Sequence, residues 1–339
     1  IHKSWDDTPN YMPNPDTGEI LCNDFFGGNL KGIIKKLPYL KDLGVDIIYL
    51  NPIFESPSNH KYNTGDYLKI DAMYGDEKIF KKLVDSAKKL GISIILDGVF
   101  NHTGSDSIYF NSEGNYDSIG ACQSVHSSYY NWYSFINYPD DYESWWGIKT
   151  LPSVNELEPS YQSFILGSKD SVINHWMRFN ISGWRLDVVD ELPDEFLKKI
   201  RKAVKSINKD AVVIGEVWED ASNKISYGVQ KQYFYGDELD SAMNYSLMKP
   251  LISFLTGKCS GFYFNRIVNS LHENYPQESF YSMMNTLGTH DTCRVLYALA
   301  GIDPECEGYS KEEQALLTLS QVEKEIAIKR LKLASLFQM

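Results

Sequence analysis

Four carboxylates, two histidines and an arginine fall where apolar runs of strand character end. Asp97 and His102 close the stretch at 92–100, as Asp97-Gly98-Val99-Phe100-Asn101-His102. Arg185 and Asp187 lie in Gly183-Trp184-Arg185-Leu186-Asp187-Val188-Val189-Asp190-Glu191, Glu216 in Gly215-Glu216-Val217-Trp218, and His290 and Asp291 end Asn285-Thr286-Leu287-Gly288-Thr289-His290-Asp291. Arginine and aspartate two apart on a strand point to the same side, and in an α/β barrel the carboxyl ends of the strands are where ligands bind. The chemistry that needs such a set is cleavage of a glycosidic bond: one carboxylate attacks the anomeric carbon, and another protonates the leaving oxygen and then activates water. A retaining pair sits about 5–5.5 Å apart, which Asp187 and Glu216 on neighbouring strands would satisfy. Arg185 would keep Asp187 ionised, because an adjacent cation favours the charged form. The two histidines can donate hydrogen bonds to sugar hydroxyls.

The elements that must position these groups alternate. Apolar spacing predicts helices over 30–43, 77–90, 161–180 and 194–207, and strands over 45–54, 92–100, 183–188 and 212–217. A shorter strand is expected near 241–244 and another over 281–286, and 311–339 reads as one long, core-facing helix. Helix, glycine and apolar strand in repetition is the mark of βα units and a parallel sheet. The rhythm breaks from 101 to 159, a polar and aromatic stretch too long for an ordinary loop. The domains expected are therefore 1–100 and 160–339, the two parts of one catalytic barrel, with 101–159 inserted.

Composition narrows the partners. The 339 residues carry a net charge of -12 with no basic block, which argues against nucleic acid. No apolar run of about eighteen residues is present to span a membrane. The 23 tyrosines suit surfaces that stack on the flat apolar faces of sugar rings, although aromatic cores account for much of such a content. Cys22, Cys122, Cys259, Cys293 and Cys306 are scattered and odd in number, so they read as free thiols. Ile1-His2-Lys3-Ser4-Trp5 does not read as a signal peptide, which leaves cytoplasm and secretion both open.

Each residue also has a plain structural reading. Arg185 and Asp187 could be a buried core pair, His102 a satisfied polar residue after a strand, and Asp97 a buried hydrogen-bond hub. Trp145 and Trp146 favour the core of the inserted segment over a sugar platform. The oxygen-rich loops Asp6-Asp7-Thr8-Pro9-Asn10 and Asn14-Pro15-Asp16-Thr17-Gly18 suit turns better than calcium.

At these motifs the chain resembles glycoside hydrolase family 13, the α-amylase family. The motifs are DGVFNH (97–102), LPSVN (151–155), GWRLDVVDE (183–191), GEVW (215–218) and NTLGTHD (285–291), with HKYNTGDY (60–67) matching the loop after the second strand. They follow family order over most of the chain. FFGGNLKGI (25–33), FYGDELDSAMNY (234–245) and the acidic ending DVVDE resemble the neopullulanase, cyclomaltodextrinase and amylopullulanase branch. The resemblance implies a (β/α)8 TIM-type barrel with a small domain B after the third strand. It implies Asp187 as nucleophile, Glu216 as general acid/base and Asp291 as the residue that holds substrate hydroxyls. Arg185, His102 and His290 would bind the sugar at the cleavage point, Tyr62 would stack under it, Asp97 and Asp66 would support the site, and His60 and Trp218 would line nearby subsites. The partner implied is an α-glucan with α-1,4 and often α-1,6 bonds, as in starch, pullulan or cyclodextrins; the oligomeric state is open. Two other readings keep the same residues: a transglycosylase, and a non-catalytic or inactive piece that only binds glucan.

No cofactor is implied for the chemistry, and structural calcium is the one metal the resemblance offers. The loop FFGG is followed in that branch by an aspartate ligand, where this chain has Asn29, so Gly27 and Asn29 are the candidates there and Asn101 is a third. Six strands are counted where a barrel has eight, so a truncated barrel is expected, with its first strand before Ile1 and its last after Met339.

Overall fold

The computed structural model describes residues 24–167, 169–306 and 308–338. Cys22 and the oxygen-rich loops before residue 24 lie outside them. In chain order the regular elements are α1 (Leu30–Asp42), β1 (Ile47–Tyr49), β2 (Phe54–Glu55), β3 (Asp66–Ile70), α2 (Glu77–Lys89), β4 (Ser93–Gly98), β5 (Phe135–Asn137), β6 (Asp141–Tyr142), α3 (Pro159–Leu166), α4 (Val172–Met177), β7 (Gly183–Leu186), α5 (Asp194–Ile207) and β8 (Val212–Gly215). They continue with β9 (Ile225–Ser226), β10 (Val229–Gln230), β11 (Ser241–Ala242), α6 (Tyr245–Leu255), α7 (Gly261–Asn274), α8 (Gln277–Tyr281), α9 (Val295–Ala300), α10 (Lys311–Leu316) and α11 (Gln321–Gln338). Among the described residues, one compact unit comprises 24–216 and 237–239, and a second comprises 217–236 and 240–338.

The first unit is built on parallel strands in the order β1-β4-β7-β8, joined by helical crossovers. This is the repeat of a (β/α)8 barrel. The register fixes which side chains share a face: Asp97 pairs with Arg185, and Leu186 with Gly215. The ladder runs one residue further, with the Asp187 N–H on the Gly98 carbonyl at 3.1 Å and the Glu216 N–H on the Leu186 carbonyl at 3.0 Å. Asp187 and Glu216 therefore stand side by side on adjacent strands, which lie about 4.8 Å apart. Gly183, at φ +148°, opens β7; a Cβ there would lie 2.1 Å from the Val212 carbonyl oxygen, so the close approach of β7 to β8 requires glycine.

The helices form where capping and apolar spacing coincide. Asp76 caps α2, whose Phe80, Leu83, Val84 and Ala87 are buried, and α5 buries Phe196, Leu197, Ile200 and Val204 in the same periodicity. The single helix expected over 161–180 is two, because Gly167 ends α3 and the Ser171 side chain caps the start of α4. The strand expected over 45–54 is also two pieces: Pro52 lies between β1 and β2, and β2 pairs antiparallel with β3 instead. The stretch 101–159 contributes the β5–β6 hairpin and two 3₁₀ turns, Tyr130–Trp132 and Trp145–Gly147. Its buried Tyr109, Phe110, Trp132 and Tyr133 supply the aromatic core.

The second unit corrects two expectations. Residues 281–286 are not a strand: Pro276 starts α8 ahead of them, and only Met284 reaches Met243, as an isolated parallel bridge. The C-terminal stretch is two helices, and α11 is not core-facing along its length. Its buried side chains are Ala327 and Ala334, whereas Val322 and Leu336 are 66% and 75% exposed. Among the described residues no helix is long and apolar enough to cross a membrane.

Candidate active site

Arg185 is the hub of the first unit. Its side chain is 1% exposed, and β4, β7 and β8 bring three carboxylates onto it. One terminal nitrogen meets Asp97 at 2.9 and 3.0 Å and Asp187 at 2.6 Å, and the other meets Glu216 at 2.9 Å. One guanidinium thus grips Asp187 and Glu216 on the same face of the sheet. Glu216 also accepts the Val188 N–H at 3.0 Å. Val188 holds a left-handed backbone, φ 39° and ψ 52°, a costly conformation for a β-branched residue. That twist turns its N–H back from the end of β7 towards Glu216.

The electrostatics follow from three acids around one cation. Burial raises the Asp187 carboxyl well above its ordinary range, and the neighbouring Glu216 and Asp97 add to the rise, while Arg185 opposes it. Asp97 is likewise raised by burial against the pull of Arg185. Arg185 does not win alone, as the simple pairing with Asp187 would have it: in a low-dielectric pocket the cost of burying Asp187 and Asp97 outweighs its pull on them. Arg185 itself stays charged, because the surrounding acids outweigh the penalty of its burial.

The loop 60–67 hangs over this cluster. The Tyr62 hydroxyl donates to Asp97 at 2.9 Å, and its ring lies under the Arg185 guanidinium at 5.9 Å. His60 accepts the Tyr62 N–H at 3.1 Å and stacks on its ring. Buried Lys61, with a left-handed backbone, pins the loop: its ammonium reaches Asp71 at 2.8 Å and the Ser56 carbonyl at 2.6 Å. His102 is 2% exposed, and its Nε2–H donates to the Tyr62 carbonyl at 3.2 Å. Burial lowers its pKa to about 4, so the ring is neutral at pH 7. Asp66 contacts the Leu68 N–H at 2.9 Å and the Tyr109 hydroxyl at 3.3 Å, which places its support in the aromatic layer beneath the loop.

Sequence reasoning missed three contributors. Tyr49, near the end of β1, donates its hydroxyl to Asp97; its place at a strand end was the available signal. Lys61 was visible only as the charge between His60 and Tyr62. Trp146, expected in the core, is 78% exposed, and its indole N–H donates to Glu191 at 2.8 Å.

The remaining candidates lie in the second unit. Trp218 stacks on Tyr245 with centroids 4.1 Å apart, and the Tyr245 hydroxyl meets Thr289 at 3.2 Å. His290 and Asp291 are 3.2 Å apart at the close of that segment. Cys293 follows, but burial pushes its thiol up to about 12, which leaves no thiolate for chemistry.

Among the described residues no three His, Cys, Asp or Glu side chains gather as a metal site. Calcium takes about 6–8 oxygens. The Asn29 oxygen instead accepts the Gly32 N–H at 2.9 Å as the cap of α1, and Gly27 lies exposed with φ 87°. Asn101 is buried, and its carboxamide interacts with the Glu191 carboxylate.

The chain is 40% identical to the amylopullulanase of Thermoanaerobacterium saccharolyticum, an alignment that takes in all of this chain and 28% of that one. It is 37% identical to neopullulanase 2 of Thermoactinomyces vulgaris over 82% of this chain and 46% of the relative. It therefore spans less than half the length of these curated relatives. Among solved structures, the type III pullulan hydrolase of Thermococcus kodakarensis superposes with a TM-score of 0.78 at 32% identity, covering 98% of this chain and 52% of that one. The cyclic α-maltosyl-(1→6)-maltose hydrolase of Arthrobacter globiformis, in complex with maltose, gives 0.78 at 27% identity, covering 98% and 77%. The model for the α-amylase catalytic domain matches residues 5–325, and with strand-end acids gathered on one buried arginine this chain belongs to the α-amylase family of glycoside hydrolases.

Proposed function

We propose that the protein is a retaining α-glucan hydrolase that cleaves α-1,4 bonds, and α-1,6 bonds in branched or pullulan-like substrates, by double displacement. The observation that carries this reading is the pair of carboxylates, Asp187 and Glu216, held side by side by Arg185 on adjacent strands. Asp187 attacks the anomeric carbon as Glu216 gives a proton to the leaving glycosidic oxygen. Glu216 then takes a proton from water, which opens the glycosyl ester on Asp187 with net retention. Asp97 and Tyr62 fix the guanidinium and the floor of the sugar site, and neutral His102, with its one N–H on the Tyr62 carbonyl, holds the Tyr62 backbone without adding a charge. The family motif, rather than contact geometry, assigns Asp291 to the substrate hydroxyls. The substrate class is supported by the relatives, whose names include pullulan and cyclic maltosyl-maltose hydrolases.

The test is reducing-sugar release from starch, pullulan and β-cyclodextrin by the wild type beside Glu216→Gln and Asp187→Asn. Loss of the general acid should cost about 10²–10⁴-fold in rate. Activity unchanged in either variant would remove the assignment, and transfer to added maltose in place of hydrolysis would move it to a transglycosylase.

A further inference from the structure

Trp146 is built in a way that packing alone does not explain. Its indole is 78% exposed, yet it is held on two sides: one face stacks on Trp145, with centroids 5.2 Å apart and planes 20° apart, and its N–H donates to Glu191 at 2.8 Å. The backbone that presents it is left-handed, φ 50° and ψ 28°, and Gly147 follows at φ 77°. A bulky side chain at positive φ costs free energy, and an indole left in water returns little of it by burial. The ring is therefore fixed in orientation while its outer face stays in solvent.

The ring also ends a row. Trp145 lies 5.6 Å from the His102 ring, His102 donates to the Tyr62 carbonyl, and the Tyr62 hydroxyl sits on Asp97. Within the first unit, aromatic rings thus lead from the Arg185 cluster out to the surface. A pyranose presents a flat C–H face to an aromatic ring while its hydroxyls stay solvated, so an oriented, half-solvated indole is the chemistry that recognises it.

We propose that the outer face of Trp146 is a stacking subsite for a glucosyl unit of the substrate chain, remote from the unit at the cleavage point. It makes the protein favour long α-1,4-linked chains over short ones. Glu191 is the positioning residue that holds the indole edge. This inference rests on the α-glucan reading above.

The test is binding to the Glu216→Gln protein, measured by calorimetry with maltose and with maltoheptaose, in the presence and absence of Trp146→Ala. The expected result is a loss of about tenfold in maltoheptaose affinity with maltose affinity unchanged, and recovery of most of the loss in Trp146→Phe. Equal weakening of both sugars, or no weakening of the longer one, overturns the subsite. A second measurement avoids dependence on the alanine variant: maltoheptaose should shield indole fluorescence of the Glu216→Gln protein from acrylamide, and Trp146→Phe should lose that shielding. Retained shielding in Trp146→Phe also overturns the proposal. Failure of the hydrolase reading is seen separately, as wild-type rates in Glu216→Gln, which leaves the binding result to stand by itself.

Discussion

Acid should unfold this protein partly through His102. The imidazole is buried, its Nε2–H is spent on the Tyr62 carbonyl, and its Nδ1 has no hydrogen-bond partner that could receive a second proton's charge. Its pKa falls from 6.5 to about 4 on folding. In the unfolded chain the same ring protonates near 6.5, so between these values the unfolded state binds the extra proton. Stability from this group is fully present above about pH 6.5 and is lost as pH falls towards 4. At pH 4 the loss comes to about 3 kcal/mol, from about 1.4 kcal/mol per pK unit less the partial protonation of the folded state. The buried carboxyls act in the opposite sense. Asp97 and Asp187 have raised pKa values, so the folded state holds protons the unfolded chain has released, and acidification favours folding there. The measurement must therefore be a difference. Urea unfolding of wild type and His102→Gln at pH 7 and pH 4 isolates the histidine, since glutamine can keep a donor near the Tyr62 carbonyl without titrating. The wild type should lose about 3 kcal/mol more than the variant between the two pH values. A difference below about 1 kcal/mol, or one of opposite sign, would show that His102 is not held neutral by burial.

Two further outcomes follow from the same cluster. Arg185→Met leaves three buried acids without their cation and should destabilise the protein by about 3–5 kcal/mol in urea unfolding, with part of the loss returning on acidification as Asp97 and Asp187, already raised by burial, protonate; wild-type stability in that variant would contradict the hub. Val188→Gly should change stability by less than about 1 kcal/mol, because relief of the left-handed backbone is offset by glycine's extra unfolded-state entropy and the lost side chain, while lowering the hydrolytic rate as the N–H that holds Glu216 loosens; a loss above about 2 kcal/mol would mean that no strain is relieved there.

The sequence alone determined the strand ends and the residues carried on them. Period-2 alternation puts Arg185 and Asp187 on one side, and a strand of fixed rise delivers them to its carboxyl end whatever surrounds it. Local rules also sufficed for α1, α2 and α5, where a stop signal and a buried stripe agree. They failed where long-range contact decides. Among the described residues, the strand pairing of 281–286 stops at the single Met243–Met284 bridge, so no strand extends from it. The apolar pattern of 321–338 is helical, but periodicity cannot say whether that face meets a core, and most of it does not.

Only the tertiary structure decided the electrostatics. Sequence pairs Arg185 with Asp187 because they are neighbours in the chain, whereas the β4-β7-β8 register delivers Asp97 and Glu216 to the same guanidinium. The balance is then three acids to one cation, and a residue's charge state depends on all the charges within a few ångströms and on the water they exclude. The same holds for Tyr49, Lys61 and Trp146: the sequence names each residue, but what each one touches is set by segments far away in the chain.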